Sequence, residues 1–283
     1  MINTGQLWVV ATPIGHLDDL SPRARQVLAE VDYVAAEDTR HSGRLLAHLD
    51  ISTPLVSLHE HNEAERVDDL LGHLQQGRQI ALISDAGTPL ISDPGYRLVR
   101  AARKANVPVM PVPGPCAPIA ALSVAGLPSD RFFFEGFLPA TQQARQERLK
   151  LLLRQSHTVI CFESTHRILA TAADLATLAP AHEIVVAREI TKRFEEYFIG
   201  TCADLPDWIH QHAQRQRGEF VLLLAPVEED PITQGTLGQD SQRTLEILLE
   251  ELPLKQAVKL ATRLTGEPRN LLYTYALAWK KST

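Results

Sequence analysis

Short apolar runs alternate along the chain with segments whose apolar residues recur at three- and four-residue spacing. Leu7 to Ala11 reads as a first strand and stops at Thr12-Pro13-Ile14-Gly15. Ser21-Pro22 then opens a helix with Val27 and Leu28 on its apolar face. Tyr33 to Ala36 predicts a second strand, which delivers Glu37, Asp38, Thr39, Arg40 and His41 at its end. A helix through Leu45, Leu46 and Leu49 follows, then a short strand near Leu55 to Leu58. Asn62 and Glu65 have the spacing of a capping box ahead of Val67, Leu70, Leu71 and Leu74. After Gly77, the apolar residues Ile80, Leu82 and Ile83 predict a buried strand. Two breaks follow it, at Asp85-Ala86-Gly87 and at Ser92-Asp93-Pro94-Gly95. Asp93 is placed to cap a helix that starts at Pro94 and runs to about Ala105. A strand from Val107 to Pro111 closes the set.

Strands alternating with helices specify a parallel-rich α/β fold. Pro111, Pro113, Pro115 and Pro118 form a rigid break around Gly114, so a first α/β domain is expected over residues 1–113. A second is expected over residues 114–226, with strands at Phe132 to Glu135, Thr158 to Phe162 and Phe220 to Ala225. Between them lie a basic helix from Arg145 to Arg154 and a helix from about His166. Glu183 to Arg188 and Phe194 to Ile199 are expected to pair antiparallel. The acidic, turn-rich residues 227–240 read as a linker. Residues 241–283 then form three short helices broken at Pro253 and Gly266, a small module at the C-terminal end.

Charge changes this picture at one end. The chain totals −6, yet from Pro253 onward six basic residues stand against one acid. That end is +5 and the remainder −11, which marks a local anion-binding end on an acidic body. The three cysteines, Cys116, Cys161 and Cys202, have no metal-ligand spacing and point to a reducing compartment. No apolar run approaches the roughly 20 residues of a membrane span, and the apolar run after the N-terminus is too short for a signal peptide. A cytoplasmic protein with no membrane partner is expected. His59-Glu60-His61 fits no usual zinc spacing, so no metal is expected.

The loop after the central strand narrows the ligand. Ligands in open α/β sheets sit at the carboxyl ends of the strands. From Ala81 to Tyr96 there is no Lys or Arg, while Asp85 and Asp93 are present. The chain contains neither GxxxxGK(S/T) nor GxGxxG. Backbone groups plus acid suit a ligand that carries positive charge and is recognised by shape.

Seven segments then occur in a telling order: TPIGHLDDLSPRA from Thr12, AAEDTRHSG from Ala35, SDAGTPLISDPG from Ser84, VPGPCAPIAAL from Val112, FEGFLPA from Phe134, FESTHR from Phe162 and AREITK from Ala187. Together they resemble the ribosomal RNA small subunit methyltransferase I family, within the tetrapyrrole methylase-like S-adenosylmethionine enzymes. The resemblance runs from the first strand to the last helix. One departure is His16, where the family usually has Asn.

The resemblance implies methyl transfer from S-adenosylmethionine to the ribose 2′-hydroxyl of a cytidine in the decoding region of 16S rRNA, on the 30S subunit. It also implies the tetrapyrrole methylase fold, with two α/β domains and the cofactor in the cleft between them, and a homodimer. Mapped onto that cleft, the cofactor-binding candidates are Pro13, Ser84, Asp85, Ala86, Gly87, Ile91, Ser92, Cys116, Ala117, Phe162, Glu163 and Ala187. Candidates for the proton transfer are Asp38 with Arg40, Glu163, and Glu189 with Lys192. An adjacent cation lowers a carboxylate's pKa, which makes it a poorer base but stabilises an alkoxide. Two other readings remain: a methylase of a tetrapyrrole ring, and a non-catalytic rRNA-binding assembly factor. The basic C-terminal end and the absence of a GxGxG-type first loop weigh against the former. The intact cofactor loops weigh against the latter.

Overall fold

The computed structural model describes residues 5–59, 61–227 and 237–282. Two compact units divide the chain, Met1–Val227 and Glu228–Thr283. The larger unit holds two five-stranded sheets.

The first sheet is built from β1 (Gln6–Val10), β2 (Tyr33–Ala36), β3 (Leu55–Ser57), β4 (Gln79–Ile83) and β5 (Val109–Val112). Its order is β3-β2-β4-β1-β5 and every pairing is parallel. Parallel strands need covering on both faces, and the period of two supplies it. Ala81 and Ile83 of β4 point into one core with Val27 and Leu28 of α1 (Pro22–Glu30) and Leu46 of α2 (Thr39–His48). Ile80 and Leu82 point into the other, against Leu70 and Leu74 of α3 (Glu63–Gln75) and Leu98 of α4 (Tyr96–Lys104). The chain leaves β1 toward β2 and leaves β4 toward β5, in opposite directions across adjacent strands. That is the topological switch point at which α/β sheets take ligands.

The second sheet contains β6 (Phe132–Phe137), β7 (Thr158–Glu163), β8 (Glu183–Arg188), β9 (Glu196–Thr201) and β10 (Phe220–Leu224) in the order β6-β7-β10-β8-β9. Only β6–β7 is parallel, and β8 and β9 pair antiparallel as their sequences predict. One face is covered by α6 (Gln142–Leu152), α7 (Ile168–Leu178) and α8 (Leu205–His210). The other packs on α5 (Ala117–Ala125) and also receives Ile14, from the loop after β1. The smaller unit is three helices, α9 (Gln239–Glu251), α10 (Leu254–Thr265) and α11 (Arg269–Ser282), around Leu245, Leu249, Val258 and Leu272. Most of the expected linker, residues 228–236, lies outside the described residues.

Three local expectations change. The helix after the central strand starts at Tyr96, not Pro94, and Asp93 does not cap it. Its first amides are instead bonded to the start of the neighbouring α3: Gly95 N and Arg97 N donate to Glu63 Oε1 at 3.2 and 2.8 Å. Asn62 makes no side-chain cap to α3. Its amide closes the preceding turn, accepting from His59 N at 2.8 Å and donating to Ser57 O at 3.3 Å. The proline-rich break gives way at once to α5, which buries Ala121, Leu122 and Ala125 on the second sheet while the apolar Ile119 and Val124 stay exposed, so hydrophobicity alone marks no helical stripe. The basic helix α6 has two of its cations paired within the fold. Arg145 is 3% exposed and paired with buried Asp174 at 2.7 Å, while Arg148 pairs with Glu135 at 2.5 Å.

Candidate active site

The loops after β1, β4 and β7 meet where the two sheets face each other. Thr12 and Gly87 exchange backbone hydrogen bonds at 2.9 and 3.1 Å, which ties the first loop to the central one. The Thr12 hydroxyl donates to Ser84 O from a fully buried position. Gly87 has φ +84, and a Cβ there would lie 3.3 Å from Ile14. Thr88 Oγ1 donates to Pro115 O at 2.9 Å, fixing the central loop to the turn before α5. Gly15 lies so close to the loop after β8 that a Cβ would stand 2.6 Å from Thr191 Oγ1. His16 N donates to that same hydroxyl at 3.1 Å. The His16 ring accepts from Asp18 N, a short-range capping bond that an Asn in its place could also make.

These contacts frame a cleft of about 340 Å³. Eight of the expected cofactor residues line it: Ala86, Gly87, Ile91, Ser92, Cys116, Ala117, Phe162 and Glu163. Pro13 and Asp85 line an adjoining groove, together with Lys192. Ser84 is buried beneath the central loop at 2% exposure, and Ala187 is buried in the core of the second sheet. Asp38, Arg40 and Glu189 line neither space. The cleft walls are mainly apolar, with Ile14, Phe137, Phe162 and Val221 among them, and no Lys or Arg takes part. Asp93 and Glu219 do, together with the loop backbone, so the lining fits a cationic, partly aromatic ligand held by shape.

The carboxyl groups differ sharply. Glu163 is wholly engaged: Ser164 N and Arg167 Nε donate to one oxygen at 2.7 and 3.0 Å, and the Thr171 hydroxyl to the other at 2.6 Å. Asp38 caps α2, accepting from Arg40 N and His41 N. The Arg40 side chain and backbone hold its carboxyl down at about 2. Burial acts to raise Glu189, yet Lys192 and the Glu219 amide more than offset it and hold that carboxyl below its ordinary value. Two residues absent from the sequence-derived candidates behave in the opposite way. Burial lifts Asp93 to about 6, with Asp85 adding to the effect against a hydrogen bond from Ser84. Burial, then Asp93 and Asp85, lift Glu37 to about 6. Asp93 lines the cleft. Glu37 follows directly on β2 and Asp93 lies in the loop after β4, but neither motif nor spacing reports burial.

His59 and His61 stand with ring centroids 6.0 Å apart, and the His59 ring accepts from Asn62 N. Glu60, between them, lies outside the described residues. Among the described residues no group of three His, Cys, Asp or Glu side chains is placed to hold a metal, and no helix is long and apolar enough to cross a membrane.

Residues 6–206 match the family of Tetrapyrrole (Corrin/Porphyrin) Methylases, and residues 236–280 match the RsmI C-terminal HTH domain. The chain is 51% identical to ribosomal RNA small subunit methyltransferase I of Pseudomonas aeruginosa, over 98% of both chains. It is 49% identical to the protein of that name from Escherichia coli O157:H7, over 96% of this chain and 95% of the other. The chain belongs to the ribosomal RNA small subunit methyltransferase I family. The fold is the tetrapyrrole methylase fold. Uroporphyrin-III C-methyltransferase from Thermus thermophilus, solved with S-adenosylhomocysteine, shares it at a TM-score of 0.55 and 19% identity, covering 78% of this chain and 97% of the other. Diphthine synthase shares it at a TM-score of 0.59 and 14% identity, over 78% and 90%. In this ribosomal RNA methyltransferase I family member, S-adenosylmethionine is the methyl donor, and the cation-free cleft suits its sulfonium.

Proposed function

We propose that the chain methylates the ribose 2′-hydroxyl of a cytidine in the decoding region of 16S rRNA, on the 30S subunit. Support comes from family membership over both the α/β unit and the C-terminal helices, joined to a cleft whose walls carry no cation. The resemblance also supports a homodimer and a cytoplasmic location. We take the two sheets as two α/β domains, residues 1–113 and 114–226, followed by a linker over 227–240 and a basic helical module over 241–283.

When bound, S-adenosylmethionine supplies a methyl group already activated by its positive sulfur. The backbone of Ala86, Gly87, Ile91, Ser92, Cys116, Ala117, Phe162 and Glu163 holds it, with Ser84 and Ala187 as buried supports and Pro13 and Asp85 at the rim. Positioning then supplies much of the rate. Asp38 and Glu189, kept ionised by Arg40 and Lys192, are poor proton acceptors. Glu163 has both oxygens occupied and acts as an anchor of the cleft wall. Asp93 is the cleft carboxyl poised to accept a proton near neutral pH, and Lys192 is a cation at the rim.

Transfer of tritium from labelled S-adenosylmethionine tests the reading, with naked 16S rRNA, 30S subunits and a tetrapyrrole as acceptors. Label on 30S that blocks alkaline cleavage after one cytidine is the expected result. Label on the tetrapyrrole alone overturns it. Cofactor binding without transfer to any acceptor overturns it, and the absence of cofactor binding would favour a non-catalytic binding factor.

A further inference from the structure

The groove beside the cofactor cleft has one wall that the methyl-donor site does not explain. Its volume is about 380 Å³, and it shares Ile14, Ala86 and Glu219 with the cleft. The two spaces are therefore continuous around the loop after β1. One wall is a single face of α2: His41, Arg44, Leu45 and His48 occur at i, i+3, i+4 and i+7. His41, Arg44 and His48 are exposed, and Arg44 has no carboxylate at salt-bridge distance among the described residues. The carboxylates that also line the groove are already engaged. Glu219 takes Lys192 Nζ at 2.8 Å, and Asp85 accepts from Asp38 N at 3.0 Å. The wall thus offers an unneutralised guanidinium and two imidazoles, one helical turn apart, in a groove continuous with the cleft.

We infer that this face of α2 is the backbone-binding subsite for a single-stranded RNA segment, with Arg44 on the phosphate next to the acceptor ribose and His41 and His48 on the flanking sugar-phosphates. This rests on the rRNA reading of the cleft and deepens it. A duplex does not fit a groove of this volume, whereas a splayed strand presents the ribose hydroxyl and its phosphates together. Because the contacts are to phosphate, they position the strand and do not select its sequence.

The test compares wild type, Arg44→Glu, Arg44→Lys and the His41→Ala/His48→Ala double variant, with Arg100→Glu as a control. Arg100 is exposed on α4 and lines neither space. Calorimetry of S-adenosylmethionine is run on each, and methyl transfer to 30S subunits is measured over a range of salt. For Arg44→Glu the expectation is a rise in KM for the RNA acceptor of about tenfold or more. Its salt slope should be shallower by about 0.7, the increment for one phosphate on a single strand. Cofactor affinity should be unchanged and kcat within about twofold. Arg44→Lys should recover most of the loss, and the double variant should show a smaller rise in KM. An unchanged KM and salt slope in Arg44→Glu, beside an active wild type, overturns the subsite. So does an equal loss in Arg100→Glu, which would make the effect one of general charge, or a loss confined to cofactor binding. A wild type that binds cofactor but transfers nothing to RNA overturns the rRNA reading itself, which is a different result.

Discussion

Asp93→Asn separates the environment of a cleft carboxyl from its identity. Asp93 is half-buried and its carboxyl is raised by burial from 3.8 to about 6. Between those values the folded protein binds a proton that the unfolded chain has released. Stability then falls as pH rises through that window. Above about pH 6 the ionised form is held at a cost; below 3.8 both states are protonated and the cost is gone. At about 1.4 kcal/mol for each pH interval of one, the whole shift converts to a ceiling near 3 kcal/mol. Solvent reaches the group, so screening reduces this to about 1 kcal/mol. Asn is nearly isosteric and carries no charge. Urea unfolding of wild type and Asp93→Asn at pH 4.5 and pH 8, followed by tryptophan fluorescence, gives four stabilities. The variant should gain about 1 kcal/mol on wild type between the acid and the alkaline condition. Any hydrogen bond that Asn makes badly with Ser84 contributes at both pH values and cancels. The same variant should lose the acid limb of the pH–rate profile, where wild-type transfer rises with pH through about 6. A double difference of zero, or one of opposite sign, refutes the argument that burial controls this carboxyl.

Three other substitutions test the frame of the site. In Gly15→Ala the new Cβ meets Thr191 Oγ1 at 2.6 Å and the Ile190 carbonyl at 3.0 Å. It should cost about 1–3 kcal/mol in thermal unfolding and weaken cofactor binding by calorimetry; a cofactor affinity equal to wild type would show that the docking of this loop does not shape the cleft. Asp174→Ala leaves Arg145 charged and buried, and should cost about 3–5 kcal/mol in chemical denaturation. Glu63→Ala removes the carboxylate that accepts from Gly95 N and Arg97 N, a loss of about 1 kcal/mol. Amide exchange at Gly95 and Arg97 should speed up well beyond that of the α4 interior, and equal protection would sink the capping role.

The strands of the first sheet were legible because each is a short apolar run whose neighbours are turn residues, and parallel strands covered on both faces must be apolar throughout. Tyr33 to Ala36 and Glu183 to Arg188 match the observed limits of β2 and β8. Helix α5 was hidden for the converse reason. Its exposed face carries the apolar Ile119 and Val124, so no polar face gives it a period, and Pro113, Pro115 and Pro118 argue locally for a break. The start of α4 was misplaced because Asp93-Pro94 has good local capping chemistry, whereas the cap actually comes from Glu63, more than thirty residues away. No local rule anticipates a cap borrowed through the tertiary fold.

The chemistry of the site divides along the same line, and Glu37 and Asp38 show it within two residues. Both follow the same strand, and in sequence Asp38, paired with Arg40, was the candidate of the two. The fold turns them to different surroundings. Asp38 swings to the start of α2, where two amides and a guanidinium fix its charge and take away its basicity. Glu37 sits among Asp93 and Asp85, where burial and like charge raise its carboxyl to about 6. A neighbouring cation is visible in sequence; the loss of water and the approach of acids from another strand are not. The lack of Lys and Arg along this wall of the cleft was readable from the loop after β4, since a stretch without them is a local property. Which carboxyl can take a proton was set by the crossing of β2 beside β4, because that pairing brings Asp85 to the Asp38 amide and places three acids at one end of the sheet.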